Sequence, residues 1–226
     1  MKKLALLVAL TTVAQSLCLA GADPKTDVKS AVKKLAEKSN YGWTATFIGT
    51  PEMRMGPLEG RTEKGGSTYC KFTFADNQIE MAFNGDKSAI KREGEWQSAE
   101  ELESSNAGIA RRLKTFKAPV AEAEELAEKT KELKGADGVY SGDLSAEGIK
   151  DLVSRWRRNP EITDGKGTVK FWVKDGLLTK YQYNIQGKVT GNAQNEVDLD
   201  RTVTVEIKDV GATQVSVPED AKKKLT

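Results

Sequence analysis

The chain has 226 residues, 35 of them Lys or Arg against 33 Asp or Glu, and it has no histidine. That length suits one domain with a sizeable core, and so flat a charge balance argues against a nucleic-acid binder, which needs a basic excess to displace counterions from phosphates. Without histidine, Ser-His-Asp and Cys-His catalysis are excluded and the commonest metal ligand is missing.

The N-terminus opens with Lys2 and Lys3, continues as an apolar run from Leu4 to Val13, and reaches the small residues Ala20-Gly21-Ala22. This layout predicts a secretory signal peptide over residues 1–22, cleaved near Ala20 to Ala22. A lipid-attachment signal would put a small residue directly before Cys18, where Leu17 stands, so lipidation is the lesser alternative. The product is expected in the periplasm or outside the cell, as a single domain over residues 23–226. No other apolar run approaches the roughly 20 residues a bilayer demands, so no permanent membrane span is expected.

Val28, Ala31, Val32 and Leu35 fall on one stripe and predict a helix from Thr26 to Lys38, with Asp23 or Thr26 as its cap and Pro24 in its first turn. The period then drops to two. Trp43, Ala45 and Phe47, then Phe72 and Phe74, then Ile79, Met81 and Phe83 alternate with polar or smaller neighbours. Turn signals at Gly65-Gly66, Asp76-Asn77, Gly85-Asp86 and Glu93-Gly94 join these strands into an antiparallel meander that Trp96 ends. Cys70, within a strand, reads as a small buried apolar residue rather than a reactive thiol.

Helix signals return at Ser98, a cap followed by Glu100-Glu101. Ile109, Leu113 and Phe116 share one face, Pro119 interrupts, and a second helix is expected from Val120 to Lys134. Asp137-Gly138 opens a short strand, and Ser145 caps a helix through Arg157 with Ile149, Leu152, Val153 and Trp156 as its stripe. Strands then resume. Val169, Phe171 and Val173 lead to an Asp175-Gly176 hairpin, followed by Tyr181, Tyr183 and Ile185. A polar loop is expected over Gly187 to Asn195, strands at Val203 to Ile207 and Gln214 to Val217, and a short charged helix from Glu219 to Leu225.

Strand block, helix block, strand block is the order of an α+β fold with an antiparallel sheet. A search for chemistry returns little: no nucleophile elbow, no phosphate loop and no metal constellation. The pairs Glu100-Glu101 and Glu124-Glu125 read as solvated helix faces, and Asp198-Leu199-Asp200 lacks the rest of a calcium loop. Two basic clusters stand out, Arg111-Arg112-Leu113-Lys114 and Arg155-Trp156-Arg157-Arg158. They read either as contacts for anionic headgroups or an acidic partner, or as helix C-termini charged to suit the dipole with Arg stems covering Trp156; the second is favoured.

Three segments carry a resemblance. Residues 84–96, NGDKSAIKREGEW, residues 168–180, TVKFWVKDGLLTK, and the pair of segments TVEIKDVG at 204–211 and VSVP at 215–218 resemble, in order, hairpins and closing strands of the LolA-like lipoprotein carriers, which include the mycobacterial LppX-like lipid-binding lipoproteins. The resemblance spans most of residues 23–226. It implies a curved antiparallel β-sheet, an open half-barrel, with helices packed on its concave face, and a lipid, lipoprotein or other apolar ligand in the hollow. It implies no catalytic residue and no cofactor.

The resulting expectation is an exported, non-enzymatic binding protein. Trp43, Phe47, Phe72, Phe74, Met81, Phe83, Phe171, Tyr181 and Tyr183 are the candidate ligand-binding residues. A one-residue slip of parity would turn Trp172 inward in place of Phe171. The rival expectation is an envelope structural or protein-interaction module with a fully packed core. A hydrolase with an unfamiliar carboxylate site is a distant third.

Overall fold

Local chemistry explains the first element. In the computed structural model, which describes residues 23–50, 55–190 and 195–226, α1 spans Pro24–Ala36. The Asp23 carboxylate accepts from the backbone N–H of Thr26 at 3.1 Å, and the expected stripe of Val28, Ala31, Val32 and Leu35 is buried. The signal peptide expected over residues 1–22 lies outside the described residues.

Six strands follow: β1 (Asn40–Thr50), β2 (Leu58–Glu63), β3 (Thr68–Phe74), β4 (Asn77–Asn84), β5 (Lys87–Arg92) and β6 (Glu95–Ser98). The helical block is α2 (Ala99–Ser105), α3 (Ala107–Lys114) and α4 (Pro119–Lys129). The chain returns through β7 (Lys134–Ala136), β8 (Val139–Asp143), α5 (Ala146–Ser154), β9 (Ile162–Lys174), β10 (Leu177–Thr190), β11 (Glu196–Lys208) and α6 (Glu219–Lys222).

All eleven strands form one antiparallel sheet in the order β6-β5-β4-β3-β2-β1-β11-β10-β9-β8-β7. Each pairs with its neighbour in sequence except at the centre, where β1 meets β11. The sheet is open, with β6 and β7 at its two ends. Because β6 leads into α2 and α4 leads to β7, the helical block must cross from one edge of the sheet to the other. It crosses the concave face. Phe83 of β4 and Trp43 of β1 both stack on Phe116, which follows α3, at 4.1 and 6.3 Å between ring centroids. Towards the other edge, the Tyr140 hydroxyl of β8 donates to Asp27 of α1 at 2.9 Å. Side chains from β4 and β8 thus join one core around the same helices, which a flat sheet of this width would not allow. The fold is the expected α+β half-barrel with helices on its concave face.

Glycine and threonine make room for the largest core ring. Gly60 pairs with Trp43, and a Cβ there would stand 2.1 Å from the indole. The indole N–H donates to Thr62 Oγ1 at 3.0 Å, and Thr62 and Thr68 share a hydroxyl bond at 3.0 Å, so the buried polar atoms are satisfied. On the convex face a smaller core gathers Ala82, Ala89 and Trp96 under Ala221 and Leu225 of the C-terminal tail.

Several local expectations are corrected. The second helix of the block stops at Lys129, where the Thr130 hydroxyl bonds back to the Leu126 carbonyl at 2.6 Å, and Lys134 already belongs to β7. Asp137-Gly138 opens a short strand as expected, β8, and is the turn of its hairpin with β7. The α5 helix ends at Ser154, so Arg155 caps it and Trp156 lies beyond it. Gly187 to Thr190 is not loop: β10 continues through a bulge beside Lys188, because β9 and β11 are long enough to pair with it. Gln214 to Val217 is not a strand. Both edges of β1 are already taken, and the segment is tied by side chains instead, Asn40 Oδ1 accepting from Thr213 N at 2.9 Å and Arg61 donating to the Gln214 carbonyl at 3.2 Å.

Candidate functional site

Strand register puts all nine candidate residues on the face that meets the helices. Phe47 pairs with Val203, and Val203 with Tyr183; Tyr181 pairs with Phe171; Cys70 pairs with Met81, Phe72 with Ile79. Trp172 points outward, between Lys170 and Lys180.

The nine then divide. Trp43, Phe83, Phe171, Tyr181 and Tyr183 are buried, Phe171 and Tyr181 completely. Helix side chains fill the space over them, so they form core and reach a ligand only if the helices shift. Phe47, Phe72 and Met81 are half-buried, and Phe74 is 51% exposed. Phe47 lies near the end of β1, Phe72 and Phe74 at the end of β3, and Ile79 at the start of β4. By strand register these positions lie at one end of the half-barrel, its mouth.

A polar network sits above the buried tyrosines, and no local pattern announces it because its members come from three elements. Tyr181 donates to Glu122 Oε2 at 2.7 Å. Arg155 holds Glu122 Oε1 at 2.5 Å through one nitrogen and Glu125 Oε2 at 2.8 Å through the other. Glu125 is therefore not on a solvated face. Burial opposes the Arg155 cation, but the two carboxylates outweigh it and its pKa stays above the ordinary value. Burial, reinforced by Glu122, pushes the Tyr181 and Tyr183 hydroxyls well up. Lys117 also pairs with Glu125, so the two carboxylates face two cations. Burial likewise raises the Cys70 thiol, the inert residue the sequence implied. Among the described residues no cluster of three or more His, Cys, Asp or Glu is arranged to hold a metal, and no helix is long and apolar enough to cross a membrane.

At the mouth the two basic clusters draw near a further arginine. Arg201, near the start of β11, lies over the Trp156 ring with its guanidinium carbon 4.0 Å from the centroid. Arg112 and Arg157 are close enough to depress its pKa further, after burial, which is the largest cause. A cleft of about 450 Å³ opens at the same end, between α5 and the first residues of β9, lined by Ile149, Lys150, Pro160 and Ile162 among others.

No family model matches the chain, and no curated protein matches it. Among solved structures the chain is similar to the crystal structure of LprF from Mycobacterium bovis, with 12% identity, 88% of this chain and 97% of that chain covered, and a TM-score of 0.49. It also aligns with the dehydratase domain from the CurJ module of curacin polyketide synthase, with 7% identity, 82% of each chain covered, and a TM-score of 0.14.

Proposed function

We propose that this is an exported, non-enzymatic binding protein that holds the apolar part of a lipid, lipoprotein or other amphiphile at the mouth of its half-barrel. The observation that carries the reading is the graded exposure of the concave face. Its closed end is sealed by helices, while Phe47, Phe72 and above all Phe74 present apolar surface at the open end. A concave apolar surface with a few polar groups at its rim is the usual form of a ligand site. Export rests on the N-terminal pattern of Lys2, Lys3 and the apolar run that follows. The non-enzymatic reading rests on a sequence without histidine and on carboxylates, Glu122 and Glu125, that are tied up by Arg155 and Lys117.

The test is native mass spectrometry of protein purified from its own envelope fraction, with organic extraction of what is bound. A reproducible lipid-sized adduct, lost in a folded Phe72→Glu variant, supports the reading. Phe72 suits the purpose because it lies at the half-buried rim, whereas a charge at Phe83 would break its stack on Phe116. A second reading, an envelope interaction module, is favoured by the complete burial of Phe171 and Tyr181. A clean apo mass with a protein partner recovered from the same fraction would select it.

A further inference from the structure

An arginine that is half-buried, beside other cations and without a carboxylate is costly, since burial removes water and the neighbours repel it. Arg201 is in that position. Its Nε is buried with no hydrogen-bond partner, and the same is true of Arg111 Nε on α3. Among the described residues the arginine ion pairs are those of Arg155. The register neighbours of Arg201 are Gly49 and Ile185, which offer no side-chain acceptor. The Trp156 ring fixes the guanidinium plane without neutralising it. Burial lowers the Arg201 pKa most, and Arg112 and Arg157 lower it further against the opposing effect of Tyr183. The α3 segment, the turn after α5 and the start of β11 thus bring their cations to one place at the mouth.

We propose that Arg201, oriented by Trp156 and flanked by Arg112 and Arg157, forms an anion-binding site that takes the phosphate or carboxylate headgroup of the amphiphile held at the mouth. This rests on the binding reading above and adds a headgroup class to it. Arginine presents a fork of donors that matches such groups in two-point contact. The apolar tail would run from Arg201 past Val203 on β11 towards its partner Phe47 and on to Phe72, along one face of the sheet.

The test is calorimetric titration of the full protein, below micelle concentrations, with dodecyl phosphate, dodecyl maltoside and inorganic phosphate. Dodecyl phosphate is expected to bind about tenfold more tightly than the maltoside of the same chain length, the scale of one charge-assisted contact. Arg201→Gln is expected to erase that preference and leave maltoside binding unchanged. Arg112→Gln, on an exposed helix face, is expected to reduce it several-fold and serves if the first variant does not fold. Equal binding of the two detergents, unchanged by either variant, would overturn the anion site while the apolar mouth stood. Inorganic phosphate binding as tightly as dodecyl phosphate would overturn the headgroup assignment. Binding of neither detergent would overturn the apolar mouth, and phosphate binding lost in Arg201→Gln would still retain the anion site.

Discussion

Replacing Glu122 by Ala removes the carboxylate on which the groups above the sheet converge. Tyr181, fully buried, loses its acceptor at 2.7 Å, and Arg155 loses the partner at 2.5 Å while keeping Glu125 at 2.8 Å. Breaking a buried pair by removing one partner costs about 3–5 kcal/mol. The side chains here are 13% and 17% exposed, and the surviving Glu125 contact offsets part of the loss, which moves the expectation to the low end. The orphaned tyrosine hydroxyl adds its own desolvation, about 1–3 kcal/mol. A total loss of about 4 kcal/mol follows, a large fraction of the 5–15 kcal/mol that holds a typical domain. Urea unfolding followed by circular dichroism measures it, with the slope unchanged if the folded state keeps its compactness. A double-mutant cycle with Tyr181→Phe should give a coupling of about 1 kcal/mol, because both changes remove the same bond. A loss below about 1 kcal/mol, or strict additivity with Tyr181→Phe, would refute the claim that this network ties the helices to the sheet.

Gly60→Ala should destabilise by about 1–3 kcal/mol or more, since the new methyl must displace the Trp43 ring, and near-ultraviolet circular dichroism should change with it; an unchanged spectrum and midpoint would refute the close packing. Thr62→Val should cost about 1–3 kcal/mol by stranding the Trp43 N–H, while Thr62→Ser should cost less; equal midpoints for the two would show that the hydroxyl is immaterial. Stability should also fall in alkali. Tyr181, Tyr183 and Cys70 keep their protons in the folded state above the ordinary values of 10.0 for tyrosine and 9.0 for cysteine. The unfolded chain releases those protons first and binds fewer, so stability is full below about pH 9 and declines as pH rises. Urea midpoints across that range, with tyrosinate absorbance, test this; a midpoint that holds or rises would contradict it.

Some of the molecule was legible residue by residue. The cap at Asp23, the stripe of α1, the Asp175-Gly176 hairpin and the inward parity of Phe171 follow from rules that act within a few residues. Strand β2 escaped notice because its inward positions are Leu58, Gly60 and Thr62, two of which are not large apolar residues. They are small and polar because Trp43 occupies the space above one and bonds the other, a reason that lies on a different strand. The reach of β10 past Gly187 and the loss of a strand at Gln214 to Val217 have the same origin. Whether a polar segment pairs depends on whether a neighbouring edge is free.

The candidate site shows the same division. Alternation alone assigned all nine aromatic and methionine side chains to one face, since side-chain direction in a strand has a period of two. It could not separate the five that are sealed from the four that stay partly exposed. That was decided by the path of the helical block across the sheet and by Phe116, which fills the space between Trp43 and Phe83 from beyond the end of its helix. The sequence likewise showed two basic clusters but not Arg201, and two glutamate pairs but not the pairing of Glu122 with Arg155. Period, caps and turns are set by neighbours along the chain. Burial and charge compensation are set by neighbours in space, and only the folded structure brings those together.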